Sequence, residues 1–370
     1  MNVLFITRPI VPPWNEGSKN LAWQIAKHLQ RHRPNLLTNK SSSWQAAGTS
    51  IALKPVYSAA SLSTRQKLRL LLYLLLRPQN IDLYHYFFVP TPATSVLLSA
   101  LSRLHGMKTV QTVPSLYADG LTKKRAHRLF FADRVVAISD LTADKLCAWG
   151  IENVVRINVG IDVGYWATYS KRLPLQEQFD LPQTATTILF AGEYGRLGAI
   201  EKLLEIIPQV LVRCPHCHFI FACRILRSQD VEIRDDVQRR IRSNDCFRTV
   251  HFLDEVHDFA ALLKACDVLL FPVSDMTGKI DTPLTVLEAM AAGLPIVLTD
   301  VAPLNEIFVP GAGAMVPVND EQAMIEAVVA LVNNVGLRQQ AGRIAQEAVK
   351  ARYDLWPMVR AYEELYDSLA

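Results

Sequence analysis

Long apolar runs are scarce in this 370-residue chain: the longest unbroken one is Leu70 to Leu76. A membrane-crossing helix needs about 20 such residues, so no span is expected. The start, Met1 to Thr7, lacks the basic stretch that precedes the apolar core of a secretory leader and turns polar at Arg8. It therefore reads as a first β-strand. With 6 cysteines and no leader, the expected compartment is the cytoplasm, with thiols reduced. No internal repeat or low-complexity tract interrupts the chain. Half the residues are hydrophobic (50%) and 20% are charged, an ordinary globular composition on a length that accommodates two separate cores.

Acidic residues are scarce in one half only. Residues 1–172 hold 22 Lys and Arg against 8 Asp and Glu, whereas residues 173–370 hold 17 against 27. The first half is thus strongly basic. That asymmetry suggests an anionic partner, such as the inner surface of a membrane or a phosphorylated acceptor, or else solvated charge that complements the acidic half. Nucleic acid is not expected as a partner. Within the basic half, Ser61 to Arg77 predicts a helix in which Arg65, Lys67 and Arg69 precede an almost all-leucine stretch. Such a helix either lies in a membrane interface, cations on headgroups and leucines among acyl chains, or packs its leucines into its own domain.

Strand-like and helical segments alternate along the whole chain. Strands are expected at Asn2 to Thr7, Ile81 to Phe88, Thr109 to Val113 and Ala132 to Ser139, with helices at about Lys19 to Gln30 and Ala93 to His105 between them. The alternation resumes with strands Thr187 to Ala191, Phe219 to Cys223 and Val268 to Pro272 and helices Ile200 to Arg213 and Asp258 to Cys266. This pattern predicts an α/β protein of two doubly wound, Rossmann-like domains. The polar, proline-bearing stretch from Lys171 to Ala185 places the boundary, giving domains 1–172 and 173–352. The terminal helix, 353–370, aligns Leu355, Val359, Tyr362, Tyr366 and Leu369 on one face.

The most informative stretch is Asp281 to Asp300. Thr282 suits a helix cap and Pro283 the first helical position, where no backbone donor is needed. Gly293 suits a left-handed helix end, and Leu294 to Thr299 a buried strand. Glu288 is the only ionisable residue between Leu284 and Thr299, and a carboxylate on so apolar a helix needs a partner. A buried Arg or backbone donors would serve, and so would a ligand hydroxyl. Arg224 follows the strand Phe219 to Cys223 directly, at the edge where open parallel sheets bind ligands. A salt bridge at the strand end is the alternative there.

Pro283-Leu284, Glu288-Ala289-Met290, Gly293-Leu294-Pro295 and Asp300 resemble the signature of retaining GT-B glycosyltransferases of the large family 4 type, the glycosyl transferases of group 1. The resemblance implies a GT-B fold, two doubly wound domains facing across a cleft, with the terminal helix crossing back to the first. It implies transfer of a sugar from a UDP- or GDP-sugar, without a metal, to a glycan or lipid-linked acceptor in cell-surface polysaccharide or glycolipid synthesis. Glu288 is then expected to hold the donor ribose, and the helix start at Pro283 and Leu284, with Thr282, the diphosphate. Arg224, Arg196, Lys279 and Lys202 are the cations expected to assist them. Gly17, next to Glu16, stands where the family has a glycine loop beside the sugars. Several positions depart from the family pattern: Ser18 follows Gly17 in place of a second glycine, and a gapless match puts Glu193 and Gly198 where the family has an Arg and a Lys. Ile280 stands where the family has a carboxylate that contacts the transferred sugar, with Asp281, one residue along, either replacing it or capping the helix, and Pro114 stands in place of a His. A nucleotide-sugar epimerase of the same fold, or a binding subunit without turnover, are the alternatives. Cys214-Pro-His-Cys217 has redox or zinc spacing but sits between a helix and a strand, where no helix dipole activates the first thiol.

Overall fold

The computed structural model describes residues 1–11, 16–39, 51–59, 63–88, 91–116, 121–225, 228–243, 246 and 248–370. The chain divides into two compact units. The first comprises Met1–Gly160, Gly278–Thr282 and Asp354–Ala370, and the second Ile161–Thr277 and Pro283–Tyr353. In this division the polar stretch 171–185 lies inside the second unit, where the Leu173 N–H donates to the Ala261 carbonyl.

In the first unit the elements run β1 (Asn2–Ile6), α1 (Gly17–His28), β2 (Arg33–Asn39), β3 (Ala52–Tyr57), α2 (Thr64–Leu75), β4 (Leu83–Phe87), α3 (Pro92–His105), β5 (Lys108–Val113), α4 (Lys123–Leu129), β6 (Arg134–Ala137), α5 (Asp140–Ala148) and β7 (Val154–Arg156). The seven strands pair in parallel in the order β3-β2-β1-β4-β5-β6-β7. The inner strands are buried on both faces, which is why Val3 to Ile6 reads as an unbroken apolar run and Leu83 to Phe87 as a buried one around His85. Helices α2 and α3 pack Leu74, Leu98 and Leu101 on one apolar cluster with Leu4, Tyr84 and Tyr86.

The second unit carries α6 (Val163–Thr168), α7 (Leu175–Gln178), β8 (Thr186–Glu193), α8 (Ala199–Arg213), β9 (Cys217–Arg224), α9 (Ser228–Ser243), β10 (Val250–Leu253), α10 (Phe259–Ala265), β11 (Val268–Phe271), α11 (Leu284–Ala292), β12 (Ile296–Thr299), β13 (Gly313–Val316), α12 (Glu321–Asn333) and α13 (Val335–Arg352). Its six-stranded parallel sheet has the order β10-β9-β8-β11-β12-β13. Both sheets place their first strand inside the order and reverse direction beside it, the doubly wound arrangement.

The last helix, α14 (Leu355–Asp367), belongs to the first unit. Its apolar face is buried, including Leu355, Val359, Tyr362 and Tyr366. Polar groups fix its register. His85 on β4 is fully buried, with Nδ1 2.7 Å from the Tyr366 hydroxyl and Nε2 2.8 Å from Thr112 Oγ1. The Tyr362 hydroxyl lies 3.0 Å from the same Thr112 oxygen. Burial holds His85 well below the ordinary imidazole range, so the ring is neutral, with one nitrogen donating and the other accepting. The Glu363 carboxylate accepts from the Gln30 and Arg31 N–H groups at 2.6 and 2.7 Å, just beyond α1. Tyr366→Phe should cost about 1–3 kcal/mol, because it strands a buried imidazole nitrogen. Denaturant unfolding measures that loss, and a neutral substitution would show that the network does not lock the helix.

Candidate functional site

Helix α11 has almost nothing but apolar side chains toward its own unit: Val286, Leu287, Ala289, Met290 and Ala291 are buried. Gly293 ends it at φ +90°, the left-handed conformation expected there. Its start differs from expectation. Pro283 is the N-cap residue and not the first helical one, and no side chain caps the helix. Thr282 instead donates its hydroxyl to the Ile138 carbonyl at 3.2 Å, and Asp281 is likewise engaged elsewhere. The reason is that both belong to the first unit while the helix belongs to the second. The opening amides at Leu284 and Thr285 lie too early for intrahelical partners, so they can meet an anion.

Glu288 sits midway along this helix. Its side chain is partly open, and it makes no hydrogen bond or ion pair with the described residues. Burial pushes its carboxyl up to about 7. Tyr165 of α6 lies close enough for the carboxylate to help raise its phenol, behind the larger effects of burial and Asp258. Such a group can accept hydrogen bonds from a diol at the exposed edge of the helix.

The cations gather at the carboxyl edge of the same unit's sheet. Parallel register sets Glu193, the last residue of β8, opposite Arg224, the last of β9. Arg224 donates to Glu193 Oε1, and Arg196 Nη1 donates to Glu193 Oε2 at 3.2 Å. Arg196 also donates to the Thr277 carbonyl at 3.3 Å. Arg224 therefore does carry the salt bridge weighed as the alternative to a ligand role, while keeping an open side. Between these residues and α8, Gly198 adopts φ +66°, and a Cβ there would come within 2.5 Å of Ser274 Oγ. The turn thus needs a glycine. Lys202, within the first turns of α8, is buried, and its ammonium has no hydrogen-bond partner among the described residues. It borders a small cavity with Thr299, Asn319 and Asp320, apart from the arginine cluster.

The remaining candidates lie in the first unit. The Asp281 carboxylate accepts from Ser139 Oγ at 2.5 Å and Thr142 Oγ1 at 2.6 Å, and its N–H donates to the Pro114 carbonyl at 2.8 Å. Asp281 thus ties the segment 278–282 to the start of α5. Ile280 lies against Gly17: a Cβ on that glycine would come within 2.8 Å of Ile280 Cγ2. Glu16 is paired with Arg8, and Lys279 is half-buried. The loop residues 12–15 fall outside the described residues. The Cys214 and Cys217 thiols are buried, and burial raises Cys217 to about 12, which makes it an inert thiol. The roles of Glu193, Ser139 and Thr142 are visible only in the fold.

Residues 185–334 match the family described as glycosyl transferases group 1, and residues 15–165 match glycosyltransferase family 4. The phosphatidyl-myo-inositol mannosyltransferase of Mycolicibacterium smegmatis is 29% identical over 236 residues, 61% of this chain and 54% of that protein. The GDP-mannose:cellobiosyl-diphosphopolyprenol alpha-mannosyltransferase of Xanthomonas campestris is 24% identical over 247 residues, 66% of this chain and 60% of that protein. These alignments span little more than half the length of either relative. In fold, the chain is similar to HepE of Anabaena, solved in complex with UDP, with a TM-score of 0.79 at 16% identity and 100% of each chain covered. The two doubly wound units are those of the GT-B fold. With two family matches that together run through both units, the chain belongs to the group 1, family 4-like glycosyltransferases.

Proposed function

We propose that the protein is a retaining glycosyltransferase that moves a sugar from a UDP- or GDP-sugar to a glycan or lipid-linked acceptor in cell-surface polysaccharide or glycolipid synthesis. The observation that carries this reading is Glu288, a partly buried carboxylate without a partner among the described residues on an otherwise apolar helix whose first amides are uncapped. Glu288 holds the donor ribose. The Leu284 and Thr285 amides at the start of α11, with Arg196 and Arg224, hold the diphosphate, and Lys202 and Lys279 are the further cations. That a relative's name includes GDP-mannose and that HepE was solved with UDP supports a nucleotide sugar.

In the transfer, the bond from the sugar's anomeric carbon to the diphosphate breaks and a bond to the acceptor oxygen forms on the same face. The departing phosphate takes the acceptor's proton, so no side-chain nucleophile or dedicated base is required. Negative charge grows on the diphosphate, and oriented amides and guanidiniums stabilise it. Asp281 contributes by fixing the segment 278–282, and Gly17 and Glu16 are the residues of the first unit assigned to the sugar. Thermal stabilisation against a panel of nucleoside diphosphates and nucleotide sugars tests the donor, with a shift from one base expected. The anomeric configuration of the product, read by proton NMR, tests retention.

A binding subunit without turnover is the second reading. It is favoured by Ile280 and by an Asp281 carboxylate already engaged with Ser139 and Thr142.

The acceptor would be met at the inner face of a membrane. No helix among the described residues is long and apolar enough to cross one. On α2, however, only Gln66 and Leu74 are buried, while Leu68, Leu72 and Leu75, with Leu76 just beyond, are exposed by half or more. The neighbouring α3 exposes Leu97 and Leu104. From Gly17 to Ile81 the sequence contains no acidic residue. Cations beside exposed leucines fit an anionic lipid surface. Replacing Arg65, Lys67 and Arg69 with Glu should abolish sedimentation with phosphatidylglycerol vesicles, and unchanged sedimentation would contradict the docking.

A further inference from the structure

The Glu193 carboxylate holds two guanidiniums at the edge where the donor's diphosphate is placed above. Its side chain is only 7% exposed, whereas those of Arg196 and Arg224 remain 41% and 24% exposed. One buried anion thus faces two partly exposed cations. We propose that Glu193 is a built-in counter-anion of the diphosphate subsite, sharing Arg196 and Arg224 with the phosphates and limiting how tightly the nucleoside diphosphate product is held. The proposal rests on the donor reading of this edge.

Three features support it. First, the β8–β9 register places Glu193 opposite Arg224, so the strand pairing itself assembles the contact. Second, each guanidinium reaches a different carboxylate oxygen, Arg224 to Oε1 and Arg196 to Oε2, so the one carboxylate holds both at once. Third, like charges a few ångströms apart repel across a protein surface far more strongly than in bulk water, so a fixed carboxylate beside a diphosphate weakens its binding. The opposing effect is positioning: the same carboxylate holds two long side chains in place, and losing that order would weaken binding. Glu193→Gln separates the two effects. It removes the charge and keeps the size and one acceptor oxygen, the other oxygen becoming an amide donor, so tighter binding in the variant isolates the effect of charge.

The test is calorimetric titration with inorganic pyrophosphate, the preferred nucleoside diphosphate and the corresponding nucleoside. Glu193→Gln is expected to tighten pyrophosphate and nucleoside diphosphate by about ten-fold, with nucleoside affinity unchanged. In turnover, the donor KM and kcat should fall together, as slower product release requires. In an Arg224→Gln background, itself expected to weaken both ligands, adding Glu193→Gln should tighten them again by a similar factor. That double variant also decides the matter if the single one does not fold. Unchanged or weaker diphosphate binding in Glu193→Gln, or a double variant that binds no tighter than Arg224→Gln, overturns the proposal. A protein whose nucleotide binding depends on Glu288 but ignores Glu193→Gln refutes this inference alone, whereas one that binds neither nucleotide nor pyrophosphate refutes the donor site as well.

Discussion

Glu288→Ala is expected to weaken binding of the preferred nucleoside diphosphate by about 100-fold or more. Two hydroxyls donating to one carboxylate contribute about 1.5–3 kcal/mol each when the acceptor is charged and shielded. Glu288 has no competing partner among the described residues, so the ligand gains the whole interaction. The carboxyl, pushed up to about 7 by burial, gives the binding a pH signature. Only the ionised form accepts both hydroxyls, so affinity should rise with pH through about 7 and level off above it. Glu288→Gln should bind weakly and with no such rise. Stability of the free protein runs the opposite way. A carboxyl whose folded value lies above its unfolded one stabilises the fold below the unfolded value, and that contribution is lost as pH climbs through about 7. The wild type should therefore lose stability relative to Glu288→Gln between pH 5 and pH 8, by on the order of 3 kcal/mol. Calorimetric titration and denaturant unfolding over that range check the two halves. A pH-independent affinity in the wild type would remove Glu288 from the ribose.

Gly342→Ala is expected to destabilise the protein by about 3 kcal/mol or more, against the usual direction of that change. In a free helix interior the substitution gains about 1 kcal/mol. Here α13 lies so close to the end of α11 that a Cβ on Gly342 would fall 2.1 Å from the Gly293 carbonyl oxygen. Backbone cannot rotate away as a side chain can, so the helices must separate and give up packing. Gln346 on the same helix donates to the Ala291 carbonyl at 3.2 Å, and separation breaks that bond too. Because Gly293 terminates the helix that carries Glu288, nucleotide affinity should fall along with stability. Thermal unfolding with and without nucleotide measures both, and a stabilised variant would contradict the packing.

Local patterns carried some of this structure in the sequence. The α11 helix, its glycine end, the buried strand after it and the apolar face of α14 follow from periodicity and turn chemistry over fewer than 20 residues each. Other elements are not expressed so locally. The edge strand β3 contains Pro55 and little continuous burial, so it lacks the apolar run of an inner strand. Helix α9 buries only Val237 and Ile241 and is polar nearly throughout, which hides its period. In the site, Glu288 was legible because one carboxylate stood out on an apolar helix. The Glu193–Arg224 pair was not, since it depends on the register of two strands 31 positions apart. Nor was the anchoring of Asp281 by Ser139 and Thr142, across 142 and 139 positions. Thr282 looked like a helix cap for the same reason: its sequence neighbours are helical, but its hydrogen-bond partner lies at Ile138.

The most direct test of the central claim is release of nucleoside diphosphate from a panel of UDP- and GDP-sugars, with a bacterial lipid extract supplying acceptors, for the wild type and Glu288→Gln. Acceptor-dependent release from one donor, lost in the variant, is the result predicted. Tight nucleotide binding with no release from any donor would leave a binding subunit in place of an enzyme. Equal release by the variant would contradict the role given to Glu288.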